Sequence, residues 1–188
     1  YSLMSFRFFT GFFLAGIYPV GMKIATDYYQ KGLGKYLGYL VGALVLGTAL
    51  PHLLKDILMN FSWKVILITT SSLSVFGGLL MVTFVKNGPY RKASTALDLS
   101  TCIKVFRNVN FRKAAFGYFG HMWELYTFWA FIPVLLIKYQ ELHSEILFNV
   151  PVLSFSIIAI GSLSCILGGY LSQKFTIKKT AFSFLLLS

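Results

Sequence analysis

Two side chains that could exchange a proton lie inside a long apolar and aromatic segment. Residues 117–131 read GYFGHMWELYTFWAF, and within them His121 and Glu124 are three positions apart. This spacing places both side chains on one face of a helix. Burial raises the pKa of a carboxyl group and a nearby cation lowers it, so Glu124 is a candidate proton carrier. His121 could tune the pKa of Glu124 or pass protons on. The alternative is that the pair makes one interhelical hydrogen bond that only locks the helices together.

A third charged side chain, Arg7, lies in a separate apolar run. A charge in the membrane costs roughly 2.5–3.5 kcal/mol on insertion scales, so we expect neither Arg7 nor Glu124 to face lipid. Arg7 is the candidate counter-charge, for Glu124 or for an anionic part of a substrate. Trp123 and Tyr126 surround the ionisable pair and could stack on a substrate, although aromatic packing is the simpler interpretation.

The composition is typical of a membrane protein. Of the 188 residues, 56% are hydrophobic and 12% are charged, and the mean hydropathy is +0.70, whereas soluble domains carry about 25% charged residues. The net charge of +11 comes from short basic patches between apolar runs, which argues against a nucleic-acid-binding face. The two cysteines are too far apart for a metal site, and we expect no cofactor or metal.

Five apolar runs are long enough to cross a bilayer as helices, which takes about 20 residues. They are 3–24, 36–54, 65–85, 114–137 and 151–171, and a sixth run begins near Thr180. Alternate connecting segments carry twelve Lys and Arg residues on one side (25–35, 86–113, 172–179) and three on the other (55–64, 138–149). This bias predicts that the first set is cytoplasmic. The fold class is therefore an all-α polytopic membrane bundle.

Small residues at four-residue spacing predict close helix contacts. Two such stripes occur in the second and fifth apolar runs: Gly34, Gly38 and Gly42, and Gly161, Cys165 and Gly169. Pro19 is expected to kink the first helix. The density of small residues in these helices, together with the prolines, favours helices that slide or rock against each other.

The predicted cytoplasmic segments contain two further features. Lys23 and Asp27 are four residues apart at the end of the first span, a spacing that allows an ion pair. In segment 86–113, a short amphipathic helix is predicted to lie on the membrane surface with an apolar face of Leu99, Cys102, Ile103 and Phe106. A basic connector held near anionic lipid explains the same residues equally well.

Three motifs resemble those of the major facilitator superfamily of twelve-helix secondary transporters. The first span opens Leu3-x3-Arg7-x2-Thr10-Gly11, and the second contains Gly38-x8-Gly47-x3-Pro51. The fifth ends Gly169-Tyr-Leu-Ser-Gln173-Lys174, which is similar to the family's second cytoplasmic loop motif with Gln173 in place of Asp.

The resemblance implies that the chain is a fragment matching helices four to eight and the start of helix nine. Residues 1–85 would end the first half, 86–113 would be the central cytoplasmic loop, and 114–188 would begin the second half. Arg7 would then serve proton transfer or substrate charge. Gly38, Gly47 and Pro51 would match the fifth-helix bend, with Gly42 serving helix packing. Cytoplasmic gating is assigned to Asp27, Gly169 and Lys174.

The expected function is proton-coupled transport of a small polar or ionic solute by alternating access. The alternative is a sensor or assembly subunit that uses the same scaffold without transport. An enzyme is not expected, because the sequence has no HExxH or GxSxG motif. We further expect a monomer in a bacterial inner membrane, with lipid, protons and a small-molecule substrate as its partners.

Overall fold

The computed structural model describes residues 2–91 and 100–187. Within these ranges the chain forms seven helices and no strand. They are α1 (Ser2–Tyr28), α2 (Leu33–Ile57), α3 (Trp63–Phe84), α4 (Ser100–Val105), α5 (Val109–Leu142), α6 (Val150–Lys174) and α7 (Ile177–Leu187). The expected all-α fold is confirmed.

Four of these helices, α1, α2, α3 and α6, are long and apolar enough to cross a membrane. The fifth predicted span, 114–137, lies within α5, which has 34 residues but is not among the four. Its polar groups, including His121 and Glu124, lower its hydropathy below that of the others. Long aromatic segments with internal charges are therefore the hardest spans to recognise by apolar content alone.

The segment between α3 and α5 is shorter than the sequence predicts. α5 begins at Val109, because the Asn108 side chain accepts hydrogen bonds from the backbone N–H groups of Asn110 and Phe111 at 2.9 and 3.2 Å. In the described part of this segment Ser100–Val105 forms a short helix, and Leu99 of the predicted amphipathic helix lies outside the described residues. Pro19 does not interrupt α1, which continues to Tyr28.

The most extensive helix contact in the described part of the chain joins α2 to α6. We call it the α2–α6 interface. The two predicted stripes meet there: a methyl group added at Gly38 would lie 2.8 Å from the carbonyl oxygen of Cys165. One added at Gly169 would lie 2.7 Å from the carbonyl oxygen of Gly34. Glycine is therefore required for the two backbones to approach this closely.

The buried core continues this interface toward the predicted outer side. Val45 and Ala49 of α2 pack with Ile158 of α6, and Trp129 of α5 covers them. Ser154, one turn before Ile158, is fully buried. α1, α3, α5 and α7 make smaller contacts with this central pair, so most of their apolar side chains are exposed. Exposed apolar surface of this extent suits contact with lipid or with further helices.

The inner end of α1 packs against the turn that follows α3. The backbone N–H of Tyr90 donates to the carbonyl oxygen of Asp27 at 3.0 Å, and the Tyr28 hydroxyl donates to the carbonyl oxygen of Lys86. A side chain at Gly88 would overlap the Asp27 carbonyl group. This turn therefore joins the ends of α1 and α3 on the predicted cytoplasmic side.

Two alanine substitutions in α2 test the role of the interface. Gly38→Ala should destabilise the protein by about 1–3 kcal/mol, because the added methyl group overpacks the contact with Cys165. Gly47→Ala is the matched control, since nothing lies within 4 Å of a methyl group there and alanine favours helix by about 1 kcal/mol. The measurement is the melting temperature of the purified protein in detergent. Equal melting temperatures for the two variants would contradict the glycine requirement.

Candidate functional site

The ionisable pair of the sequence lies in the first half of α5. The Nδ1 atom of His121 is 3.7 Å from the nearer Oε2 atom of Glu124, too far for a hydrogen bond. The side chains are 39% and 47% exposed, respectively. The Nδ1 atom itself is buried, and among the described residues it has no hydrogen-bond partner. The two groups are thus close enough for the charge of one to affect the other, but they do not lock each other in place.

Arg7 lies on an exposed part of α1, near its first turns. The role of Arg7 as a counter-charge for Glu124 or for substrate stays a prediction. The exposed position is costly for a guanidinium group in hydrocarbon. We therefore expect an anionic group or water to contact the Arg7 guanidinium group in the membrane.

The candidate stacking residues Trp123 and Tyr126 are both exposed on α5. The Tyr126 ring packs edge-to-face with that of Trp129, with centroids 5.5 Å apart. A shallow hollow beside them is lined by residues of α5 alone, namely Phe119, Met122, Trp123, Tyr126, Thr127, Ala130 and Phe131. A groove on one helix becomes a binding site only when another surface closes it, so substrate stacking stays a prediction.

Polar groups from three helices lie within electrostatic range of one another near this part of α5. The half-buried Tyr18 of α1 is close enough to Tyr118, Tyr126 and Cys165 for electrostatic interaction with them. Tyr118 lies three residues before His121, so it is on the same side of the helix. Tyr18 was not predicted as part of the site, because a single tyrosine in an apolar run carries no local signal.

Asp27 is buried and forms the ion pair with Lys23 that the spacing allows. The side chain of Asp27 is 12% exposed and that of Lys23 is 55% exposed. With its carboxylate held by Lys23 and its backbone carbonyl group by Tyr90, Asp27 is fixed within its own end of the bundle. A gating role for Asp27 stays a prediction.

The motif at the end of α6 contacts the start of α2. The Gln173 side-chain amide donates to the carbonyl oxygen of Gly32 at 3.0 Å, and Gly32 has a positive φ of 69°. The family's Asp could not make this bond, because an ionised carboxylate only accepts hydrogen bonds. Gly169 packs against Gly34, whereas the Lys174 side chain is exposed. Gln173, in place of the family's Asp, thus adds a hydrogen bond between the end of α6 and the start of α2.

Polar contacts at both ends of the α2–α6 interface were not predicted. On the inner side, the hydroxyl oxygens of Tyr39 and Tyr170 are 2.9 Å apart, and Lys35 Nζ is 4.9 Å from the centre of the Tyr170 ring. On the outer side, the Asn149 side chain donates to the carboxylate of Asp56. A signal for the first group exists in the sequence, because Lys35, Tyr39 and Tyr170 each directly follow a stripe glycine.

A family model described as Major Facilitator Superfamily matches residues 1–188, which is the whole chain. The chain belongs to the Major Facilitator Superfamily. Comparisons with curated proteins and with solved structures find no match. As a member of this superfamily, the chain is a multi-pass membrane protein and a membrane transporter, and members of the superfamily are generally transporters rather than enzymes. The helices and the predicted motifs agree with this assignment.

Double-mutant cycles compare two Lys–carboxylate pairs of this superfamily member. Lys23 and Asp27 should show a measurable coupling free energy, because Asp27 is mostly buried and water screens the pair incompletely. Lys138 and Glu141, 2.8 Å apart and 68% and 56% exposed, serve as the control pair with weaker coupling. The readout is the melting temperature of Lys→Gln, Asp→Asn or Glu→Gln, and double variants. Stronger coupling in the control pair would contradict the assignment of Asp27 as a fixed inner anchor.

Proposed function

We propose that the protein transports a small polar or ionic solute across the membrane in exchange for, or together with, protons. The observation that carries this proposal is an acidic residue, Glu124, half-exposed in the middle third of α5, the helix that contains the predicted span 114–137. Ionisable groups at such positions are costly and mark substrate or proton pathways. Membership of a transporter superfamily supports the same interpretation.

In this mechanism Glu124 takes up a proton when the transport cavity is open to the outside. Neutralisation lowers the cost of moving the carboxyl group past apolar surfaces, so the helices can repack. The proton then leaves to the cytoplasmic side. His121, whose Nδ1 atom is 3.7 Å from the Glu124 carboxylate, is the candidate to pass protons on from that group.

Arg7 has the complementary role. It balances the charge of ionised Glu124, or it binds an anionic part of the solute once Glu124 is protonated. A guanidinium group suits this task because it stays charged at all physiological pH values and offers several donors in one plane. Trp123 and Tyr126 supply an aromatic wall against which a solute can stack.

The packing of α2 and α6 restricts where the pathway can run. The two helices are in contact along most of their length, and polar contacts join them at both ends. A solute has no route between them in this arrangement. We therefore place the pathway on the side of α5 that carries Glu124, near the polar groups contributed by Tyr18 and Tyr118.

We further propose that the protein acts as a monomer in a bacterial inner membrane. This setting provides an inwardly directed proton gradient. Binding energy from the solute and the proton then drives the change between outward-open and inward-open states. The predicted halves, 1–85 and 114–188, would rock about the α2–α6 interface.

Uptake into proteoliposomes tests the function. The purified protein is reconstituted, a proton gradient is imposed, and labelled organic acids, sugars, amino acids and cations are screened for accumulation. We expect at least one solute to accumulate only when the gradient is present. A solute that binds steadily but never accumulates would favour the sensor or assembly subunit instead.

Substitution of the acid tests the mechanism for that solute. Glu124→Gln should reduce gradient-driven uptake to the level of empty vesicles, because glutamine cannot carry a proton. Glu141→Gln is the matched control on the same helix, since Glu141 is exposed and pairs with Lys138 beyond the predicted span. Normal proton-dependent uptake by Glu124→Gln would remove Glu124 from the mechanism.

A further inference from the structure

Lysines from two distant segments come together at the inner end of the α2–α6 interface. The hydrogen bond from Gln173 to Gly32 joins positions that are 141 residues apart, and each of these residues is next to a lysine in the chain. Further lysines follow at the start of α2 and in the first turn of α7. We call this set the inner basic cluster: Lys31, Lys35, Lys174, Lys178 and Lys179.

Among the residues that the structure describes, no acid pairs with the lysines of the inner basic cluster. Segments 28–55 and 146–188 contain no Asp or Glu. Asp27, just before the first of these segments, is held by Lys23. Within residues 2–91 and 100–187, no salt bridge joins a lysine of the cluster to a carboxylate. The cluster therefore presents a local positive potential that attracts an anionic partner.

Tyrosine rings surround part of the cluster, which is typical of the level of lipid headgroups. Tyr39 and Tyr170 share a hydrogen bond, and Lys35 packs over the Tyr170 ring. The rings of Tyr29 and Tyr36 stack in parallel with centroids 3.4 Å apart. Tyrosine is typical of the boundary between hydrocarbon and water, where its ring is apolar and its hydroxyl group is hydrated. Lys35 is half-buried among these rings, whereas the other four lysines are exposed.

We propose that the inner basic cluster binds the phosphate headgroup of an anionic phospholipid in the cytoplasmic leaflet. Basic clusters between helix ends on this side of a membrane are suited to such headgroups. Exposed apolar residues next to the lysines, Phe175 and Ile177, offer a surface for the acyl chains. A free anion would gain nothing from that surface, so the arrangement favours a lipid over dissolved phosphate.

The site has a consequence for the interface beneath it. Lys31 just precedes α2 and Lys35 lies in its first turn, whereas the other three lysines belong to the end of α6 and the start of α7. One headgroup bound between them reduces the repulsion among five positive charges. The bound lipid thus stabilises the contact of the α2 and α6 inner ends.

Titration of the purified protein in detergent tests the proposal, with bound lipid counted by native mass spectrometry. We expect phosphatidylglycerol to be retained in preference to phosphatidylcholine. Each lysine replaced by glutamine should weaken phosphatidylglycerol binding about fivefold, so the variant Lys31→Gln/Lys35→Gln/Lys174→Gln should bind it about 100-fold more weakly. Lys55→Gln, at the outer end of α2, is the control and should leave lipid binding unchanged.

Three results would overturn the proposal. The first is equal retention of the two lipids by the unaltered protein, and the second is unchanged phosphatidylglycerol binding by the triple variant. The third is displacement of phosphatidylglycerol by inorganic phosphate, which would make this an anion site rather than a lipid site. If the triple variant does not fold, Lys178→Gln/Lys179→Gln provides the same test on exposed residues, with an expected loss of about 25-fold. Because transport is not measured, the result is independent of the proposed function.

Discussion

The direct approach of two helix backbones, with glycine at each close contact, is the constraint on which the rest of this structure depends. Lipid provides no hydrophobic drive for helices to associate, so van der Waals contact and interhelical hydrogen bonds must hold them together. At Gly38 and Gly42 of α2 and at Gly169 of α6, backbone atoms of the partner helix are close enough to exclude even a methyl group. The α2–α6 interface is therefore the fixed element to which the other helices attach with smaller contacts.

This constraint also shapes the possible function. An interface packed along most of its length cannot be the route of a solute, but its smooth, small-residue surfaces can slide or tilt without large rearrangement of side chains. Polar contacts at both ends, from Gln173 to Gly32 and from Asn149 to Asp56, limit how far such motion can go. His121 and Glu124 belong to neither helix of this interface and lie half-exposed on α5. The closest helix packing and the candidate proton-carrying residues thus lie on different helices.

Much of the fold could be predicted because it depends on local pattern. Apolar length placed the long helices, and four-residue spacing of small residues identified both surfaces of the α2–α6 interface. Helix ends were less accurate, since a cap such as Asn108 depends on the side-chain conformation of one residue rather than on a pattern. α5 thus begins five positions before the predicted 114, at Val109.

The site was only partly predictable, for a different reason. The proximity of His121 and Glu124 follows from their spacing, but contacts between residues far apart in sequence do not. The pairing of Tyr39 with Tyr170 and of Gln173 with Gly32 depends on the register of α2 against α6. A single sequence does not reveal this register. It therefore predicts which helix surfaces interact, but not which side chains meet across them.

The central claim is that water reaches Glu124 from one side of the membrane, and thiol labelling tests it most directly. Cys102 and Cys165 are replaced by serine, Glu124→Cys is introduced, and membrane-impermeant thiol reagents are added to each side of oriented vesicles. We expect modification at position 124, whereas Val75→Cys on the apolar and exposed α3 should not react. A cysteine at position 124 that stays as unreactive as the one at position 75 from both sides would contradict the account.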